Sequence, residues 1–331
     1  MSAEILKQIE AIDTKIKTHT LEKTRLEQLI RGLKQKRDDL KSIYNRKIAD
    51  EQESWEVWID EFPWSEKIKE VLVKTFGLQE FREHQLAAIN ATLSKKDLIL
   101  LMPTGGGKSL CYQLPAMIES GLTLVISPLI ALMDDQINKL RNLGIIAYKM
   151  ATGEAAETKK NVYGYLNKKI GPPIKLLYIS PEMLAKSKKL VSALQTCHKA
   201  RNLNRIAIDE VHCCSEWGHD FRPDYRYLGL LKNLFEGVPL IGLTATATAF
   251  VLNDVREILE IPAAIVVKAP FDRSNLCYKI MSKPSKFNEC IQLLNEIITD
   301  FQNSSGIIYA ISIKECEDIA KALREIKIVQ E

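Results

Sequence analysis

The chain has 331 residues, 46% apolar and 27% charged, which is room for two domains of ordinary soluble composition. A net charge of +4 permits a polyanionic partner without demanding one. Seven cysteines without any C-x-x-C spacing argue for reduced thiols and against a zinc site, and no signal-like segment or run of eighteen apolar residues suggests a membrane partner.

Residues 1–53 hold no proline and one glycine. Steps of seven from Ile5 pass through Ile12, His19, Leu26, Leu33 and Leu40, and steps from Ile9 pass through Ile16, Lys23, Ile30, Arg37 and Tyr44. This 4-3 alternation predicts a heptad helix, either a self-associating coiled coil or a solvated helix or hairpin bent near His19. Residues 54–75 form a tryptophan-rich linker and helix, with Trp55, Trp58 and Trp64 as an anchor where the helix meets a globular body.

From there to about residue 267, apolar runs alternate with helical patterns. Strands are expected at 97–102, 122–127, 145–150, 175–180, 206–209, 240–244 and 264–268. The fold class is α/β: buried strands alternating with helices form a parallel sheet covered on both faces, with ligands at the strand C-termini. A lobe spanning 76–278 follows from this pattern. Residues 279–331 read as the incomplete beginning of a second lobe, with a helix at 285–301, a strand at 306–311 and a helix at 314–326.

Two stretches carry chemistry. The apolar run 98–101 leads through Met102, Pro103 and Thr104 into Gly105, Gly106, Gly107, Lys108 and Ser109. Glycines let backbone N–H groups wrap phosphates at a helix N-terminus. Lys108 would neutralise β and γ phosphates, and Ser109 would ligate Mg²⁺. About a hundred residues later another apolar run ends in Asp209, Glu210, Val211 and His212. Asp209 suits the metal and Glu210 the attacking water. His212 would link the site to Thr244-Ala-Thr246. A glycine-rich turn without a ligand is the plain alternative for the first stretch, and a strand-end carboxylate pair for the second; their pairing favours an ATP site.

These blocks, together with Phe81-Arg-Glu-His-Gln85 and residues 127–136, 180–182 and 242–248, resemble the ordered motifs of a superfamily 2 helicase. Residues 214–225 are similar to the aromatic-rich loop that marks the RecQ family of DNA helicases, and 271–276 to its interdomain linker. The heptad N-terminus and Asp60-Glu-Phe-Pro-Trp-Ser65 most resemble the animal RecQ-like type 1 subgroup. The resemblance implies a RecA-like lobe of the P-loop NTPase type and ATP-dependent 3′-to-5′ unwinding of DNA in repair or replication. It also implies a nuclear location. Gln85 would read the adenine edge, with Phe76 or Arg82 near the base. Trp217, His219, Phe221 and Arg222 would couple single-stranded DNA to hydrolysis, since aromatic and Arg faces grip any base. Ser127, Gln136, Ser180 and Thr246 would contact the DNA backbone.

The family continues with a complete second lobe, an arginine finger, a zinc-binding region and a winged helix, so a chain stopping at residue 331 is expected to lack full activity. Two other readings stand beside this one. One is an RNA helicase or another translocase of the superfamily; the other is a non-enzymatic product that binds ATP or DNA weakly, or pairs through its N-terminal helix. The basic runs 34–37 and 186–189 read as solvated helix faces rather than import signals.

Overall fold

The computed structural model describes residues 2–50, 55–151, 153–168, 170–217, 220–270, 276–301 and 304–325. They fall into two units, Met1–Phe271 and Asp272–Glu331.

The first unit opens with α1 (Ser2–Asp50), 49 residues long. It runs unbroken through His19, so a hairpin bent there is not what forms. The helix accommodates Thr18, Thr20 and Thr24, whose hydroxyls donate to carbonyls four residues back at 2.9, 2.7 and 3.0 Å. Ile12, Ile16, Leu26, Ile30, Leu33 and Leu40, all positions of the heptad stripe, are solvent-exposed.

A short 3-10 turn (Trp55–Trp58) and α2 (Ser65–Lys74) follow. Trp58, Phe62 and Trp64 stack, with successive ring centroids 6.0 and 5.3 Å apart. The Trp64 indole N–H donates to Asn90 Oδ1 at 2.9 Å, and Asn90 Nδ2 donates to the Trp58 carbonyl at 2.8 Å. This stack clamps α3 (Gln85–Leu93), while Ile68 and Leu72 of α2 pack with Ile89, Leu93, Leu110 and Leu114.

The body is a seven-stranded parallel sheet in the order β3-β4-β2-β5-β6-β1-β7. Its strands are β1 (Leu98–Leu101), β2 (Leu122–Ile126), β3 (Ala147–Met150), β4 (Leu176–Ile179), β5 (Leu203–Ile208), β6 (Leu240–Thr244) and β7 (Ile265–Lys268). Every residue of β1, β2, β4 and β6 is buried, which is why these runs carry no polar alternation. The connections are α4 (Leu110–Ile118), α5 (Ile130–Asn142), α6 (Ala156–Lys168), α7 (Pro181–Lys186), α8 (Lys188–Lys199), the short α9 (Leu231–Leu234) and α10 (Ala249–Ile258). Two apolar clusters, one on each face, form the core. The fold is thus the RecA-like α/β lobe expected.

Asp97 fixes the start of β1 between its neighbours. Its carbonyl accepts Ile265 N–H at 3.0 Å, and its carboxylate accepts Leu240 N–H at 2.8 Å and the Lys232 ammonium at 2.9 Å. Arg205 of β5 is wholly buried; it pairs with Glu119 at 2.9 Å and donates through Nε to Thr92 Oγ1 at 2.6 Å.

The second unit holds α11 (Phe287–Asp300) and α12 (Ile313–Glu325). The strand expected at 306–311 does not form: the segment is unpaired coil with Ile307, Tyr309 and Ile311 exposed. A strand is made by its ladder, and no described strand lies beside this segment. Residues 271–275 of the expected linker lie outside the described residues.

Arg205→Ala is expected to lower unfolding free energy by about 3 kcal/mol, because it leaves Glu119 with only the more exposed Lys95 as its cation and takes the buried donor from Thr92. The double variant Arg205→Met/Glu119→Leu should recover most of that loss in urea denaturation; no recovery would mean that packing, not charge, dominates the site.

Candidate nucleotide and nucleic-acid site

The C-terminal ends of β1, β6, β5 and β2 lie side by side, because the register sets Leu101 opposite Thr244, Ile208 opposite Gly242 and Ile126 opposite Ile208. The loop after β1 leaves the sheet with the Met102 N–H donating to the Thr244 carbonyl at 3.1 Å. Gly105 and Gly107 take left-handed φ values of +77° and +90°, a region that costs glycine nothing. A Cβ on Gly107 would also sit 2.2 Å from Gln85 Nε2. Among the described residues, the N–H groups of Gly105, Gly107, Lys108 and Ser109 donate to no protein acceptor. Such a run of inward amides ahead of a helix is an anion cradle.

Lys108 Nζ reaches back over the loop to the Met102 and Pro103 carbonyls, at 3.1 and 3.5 Å. Ser109 Oγ accepts from Gln136 Nε2 at 3.3 Å, and Gln136 Oε1 accepts from Gln113 at 2.9 Å. Asp209, at the end of β5, is largely buried, and its N–H donates to the Ile126 carbonyl at 2.8 Å. Burial, then the charge of Glu210, pushes its carboxyl up to about 6, against the pull of Lys108 and a hydrogen bond from Ser127. A serine hydroxyl and a buried carboxylate are hard oxygen donors, the set that suits Mg²⁺. The residues present therefore fit a magnesium nucleoside triphosphate.

Glu210 sits in the left-handed region at φ 49°, ψ 47°. This non-glycine strain aims its carboxylate at His212, with Oε2 3.3 Å from Nδ1. His212 Nδ1 also lies 2.8 Å from Thr244 Oγ1. That hydroxyl donates to the Thr246 carbonyl at 3.2 Å and accepts Thr246 N–H at 3.0 Å. With its own proton so used, Thr244 receives the Nδ1 proton. Burial raises the Glu210 carboxyl pKa, with Lys108 opposing and Asp220 adding.

The aromatic-rich loop adjoins this turn. Trp217 is 54% exposed, with its edge against Phe250 at 5.5 Å and 85°. Phe221 is half-buried beneath the Arg226 guanidinium at 5.4 Å. Arg222 holds Asp220 at 3.0 Å and the Pro128 carbonyl at 3.3 Å. Tyr225, wholly buried, donates its hydroxyl to the Asp209 carbonyl at 3.0 Å. That strut between loop and carboxylate turn escapes sequence reading, as does the Gln113–Gln136–Ser109 relay. The one signal for the strut is that Tyr225 closes the aromatic block.

Several placements differ from expectation. Gln85 is buried and spends both polar ends on protein, Oε1 accepting Arg82 N–H at 2.8 Å and Nε2 donating to Gly107 O at 3.0 Å. In this state it straps the loop rather than offering an adenine-reading edge. Arg82 donates to the Gly105 carbonyl, and Phe76 packs into the core beside α2. Ser127 and Ser180 are buried, the first beside Asp209 and the second capping α7 through Met183 N–H at 3.2 Å. Gln136 faces the nucleotide side. Hydroxyls and an amide committed inward in this way depart from the expected role on a DNA backbone, whereas Thr246 is exposed. His219 lies outside the described residues.

Two consequences are measurable. Because the folded carboxyl of Asp209 binds its proton more tightly than an unfolded one, ionising it costs stability at every pH above about 6. Asp209→Asn should therefore raise the thermal midpoint at pH 7.5, with the gain shrinking as pH falls from 6 towards 4; a pH-independent gain would put the cause elsewhere. Tyr225→Phe keeps the ring and removes the strut, so stability should fall by about 1 kcal/mol while any response of nucleotide turnover to single-stranded DNA falls several-fold. An unchanged response would make Tyr225 a core residue only.

Residues 82–255, more than half of the chain, match the DEAD/DEAH box helicase family. The chain is 48% identical over 270 residues to the ATP-dependent DNA helicase Q1 of Pongo abelii, covering 81% of this chain and 41% of that protein. It is 47% identical over 270 residues to the ATP-dependent DNA helicase Q1 of Rattus norvegicus, covering 81% and 43%. The chain thus spans about two fifths of these relatives' length. Among solved structures, the DUF1998 helicase MrfA shares the fold with a TM-score of 0.60 at 21% identity, over 80% of this chain and 42% of that one. The chain belongs to the DEAD/DEAH box helicase family.

Proposed function

We propose that the chain is the ATP-binding portion of a RecQ-type DNA helicase, in which ATP hydrolysis drives 3′-to-5′ strand separation during DNA repair or replication in the nucleus. The observation that carries this reading is the shared frame of two sites. The Asp209–Glu210 turn is tied to Thr244 through His212 and to the aromatic-rich loop through Tyr225. A nucleotide-dependent shift of either carboxylate would reach exposed Trp217 through a few hydrogen bonds.

In this reading the loop amides and Lys108 bind the phosphates, Ser109 and Asp209 hold Mg²⁺, and Glu210 takes the proton of the attacking water. Magnesium-bound ATP supplies a γ-phosphate already polarised for in-line attack. His212 positions Glu210 and reports to Thr246. Phe76, Arg82 and Gln85 border the base side of the loop. Trp217, His219, Phe221 and Arg222 grip single-stranded DNA, and Thr246 positions its backbone. The proposed division is 1–53 heptad helix, 54–75 linker, 76–278 ATP-binding lobe and 279–331 beginning of a second lobe. Similarity to proteins named DNA helicase Q1 supports DNA as the partner.

A second reading concerns α1. Its exposed heptad stripe supports self-association through residues 1–53. Leu26→Glu/Leu33→Glu should shift the full chain to a monomer in sedimentation velocity; a wild-type monomer at tens of micromolar would remove this reading.

The central test is nucleotide binding and turnover by the full chain with and without single-stranded DNA. Lys108→Ala should cut turnover by about 10²-fold or more, and DNA should stimulate the wild type more than RNA of equal length. Binding of a magnesium-ATP analogue unaffected by Lys108→Ala would defeat the nucleotide assignment, and equal stimulation by RNA would favour a general translocase.

A further inference from the structure

Helices α6, α7 and α8 carry seven lysines and only two glutamates, Glu157 and Glu182. Five of these lysines are gathered in two places. Lys159 and Lys160 lie one turn before Tyr163 on α6, on its face of the helix. Lys189, at the start of α8, sets its ammonium over the Tyr163 ring at 4.5 Å. Lys188 is beside it, and Lys186 ends α7 two residues earlier. Lys159, Lys160, Lys186, Lys188 and Lys189 are all exposed, and none has a carboxylate partner among the described ion pairs.

The placement works against the fold. Lys188 and Lys189 are the first two residues of a twelve-residue helix that has no acid in its first turn. Cations there oppose the positive end of the helix dipole. Three like charges within four residues repel each other as well. Elsewhere the same unit pairs some of its cations, as Lys74 with Glu70, Lys95 with Glu119 and the half-buried Lys149 with Asp134, while exposed Lys96, Lys139 and Lys199 have no carboxylate partner among the described ion pairs. Uncompensated positive charge beside an aromatic face is what a polyanion would relieve. The surface is also joined to the aromatic-rich loop, because α7 packs against the 3-10 segment Pro223–Leu230, which begins within the last residues of that loop.

We infer that the lysines of α6, α7 and α8 form a backbone-binding track that extends the grip on single-stranded DNA beyond the aromatic loop. The track reads phosphates, not bases, and its partner is the stretch of strand next to the one stacked on Trp217. This rests on the single-strand reading proposed above. Ammonium groups on flexible stems suit it, since they follow a mobile backbone without demanding one geometry.

The test is fluorescence anisotropy of a labelled oligothymidylate with the full chain over a range of salt concentrations. The variant is Lys186→Gln/Lys188→Gln/Lys189→Gln, with Lys→Arg at the same three positions as the charge-retaining control. The glutamine variant should bind at least about 10-fold more weakly at 50 mM salt. Its plot of log affinity against log salt should lose about 2 units of slope, from roughly 0.7 per lost phosphate contact. Its thermal midpoint should hold or rise, its affinity for a magnesium-ATP analogue should match the wild type, and the arginine variant should restore the slope. Glutamine and wild-type chains with equal affinity and slope would overturn the track and leave the single-strand reading intact. Absence of salt-dependent binding by the wild type would overturn both. Competition by polyglutamate as effective as that by DNA would overturn the assignment to nucleic acid.

Discussion

Main-chain hydrogen bonds along β6, β1 and β5 set Leu101 opposite Thr244 and Ile208 opposite Gly242, and the distances at the site follow from that register. A slip by one residue would turn every side chain of a strand to the other face. Asp97 prevents it by bonding backbone groups on both sides of β1, to β7 through its carbonyl and to β6 through its carboxylate. Lys232 neutralises that carboxylate, so the charge that fixes the register is not left bare. Gly242 belongs to the same constraint: a side chain there would press on Val211 at 3.1 Å and lift the 3-10 turn that carries His212.

Once the strand ends are in line, electrostatics decides what the site can do. Asp209 and Glu210 are adjacent, partly buried carboxylates, and burial raises both pKa values. Such a pair persists only where compensating groups are close. Lys108 supplies charge and Ser127 a hydroxyl, while the left-handed turn at Glu210 separates the two carboxylates towards different partners. Residual destabilisation of this kind is the reverse side of ligand affinity. A site that is costly when its charges face one another gains most when a divalent cation and phosphates arrive between them. The same reasoning applies to the loop amides without acceptors and to Lys108 folded onto two carbonyls, which are weaker partners than a phosphate.

The sheet was legible because its strands are continuous apolar runs punctuated by Gly, Asp and Ser. Each expected strand of the first unit lies within three residues of the observed one at either end. The glycine loop and the Asp-Glu-Val-His run were legible because phosphate and metal chemistry restricts residue type so tightly. What sequence could not show was direction. A glutamine, two serines and a tyrosine look alike on paper whether they face solvent or interior. Gln85 turned to the loop and Ser180 to a helix cap, because each found a local backbone partner that a distant ligand has to outcompete. Tyr225 became a strut only through a contact with Asp209, sixteen positions away in sequence. The run 306–311 reads as a strand by composition, yet a ladder needs a neighbour that composition cannot supply.

The features that remain are those where local rules are broken at the surface and only partly compensated inside the fold. They are the apolar stripe on α1, the exposed Trp217 and the lysines at the start of α8. Each costs something: apolar surface in water, an aromatic ring half in solvent, cations against a dipole. The core answers the larger of such demands, as buried Arg205 shows with its carboxylate and hydroxyl partners. Departures confined to the surface therefore carry information that the core does not. Helix α7, which ends in Lys186, packs against the segment Pro223–Leu230 that closes the aromatic-rich loop. An exposed aromatic face and positive charge without carboxylate partners are the two features that the proposed single-strand partner, a flexible polyanion with flat bases, would satisfy together.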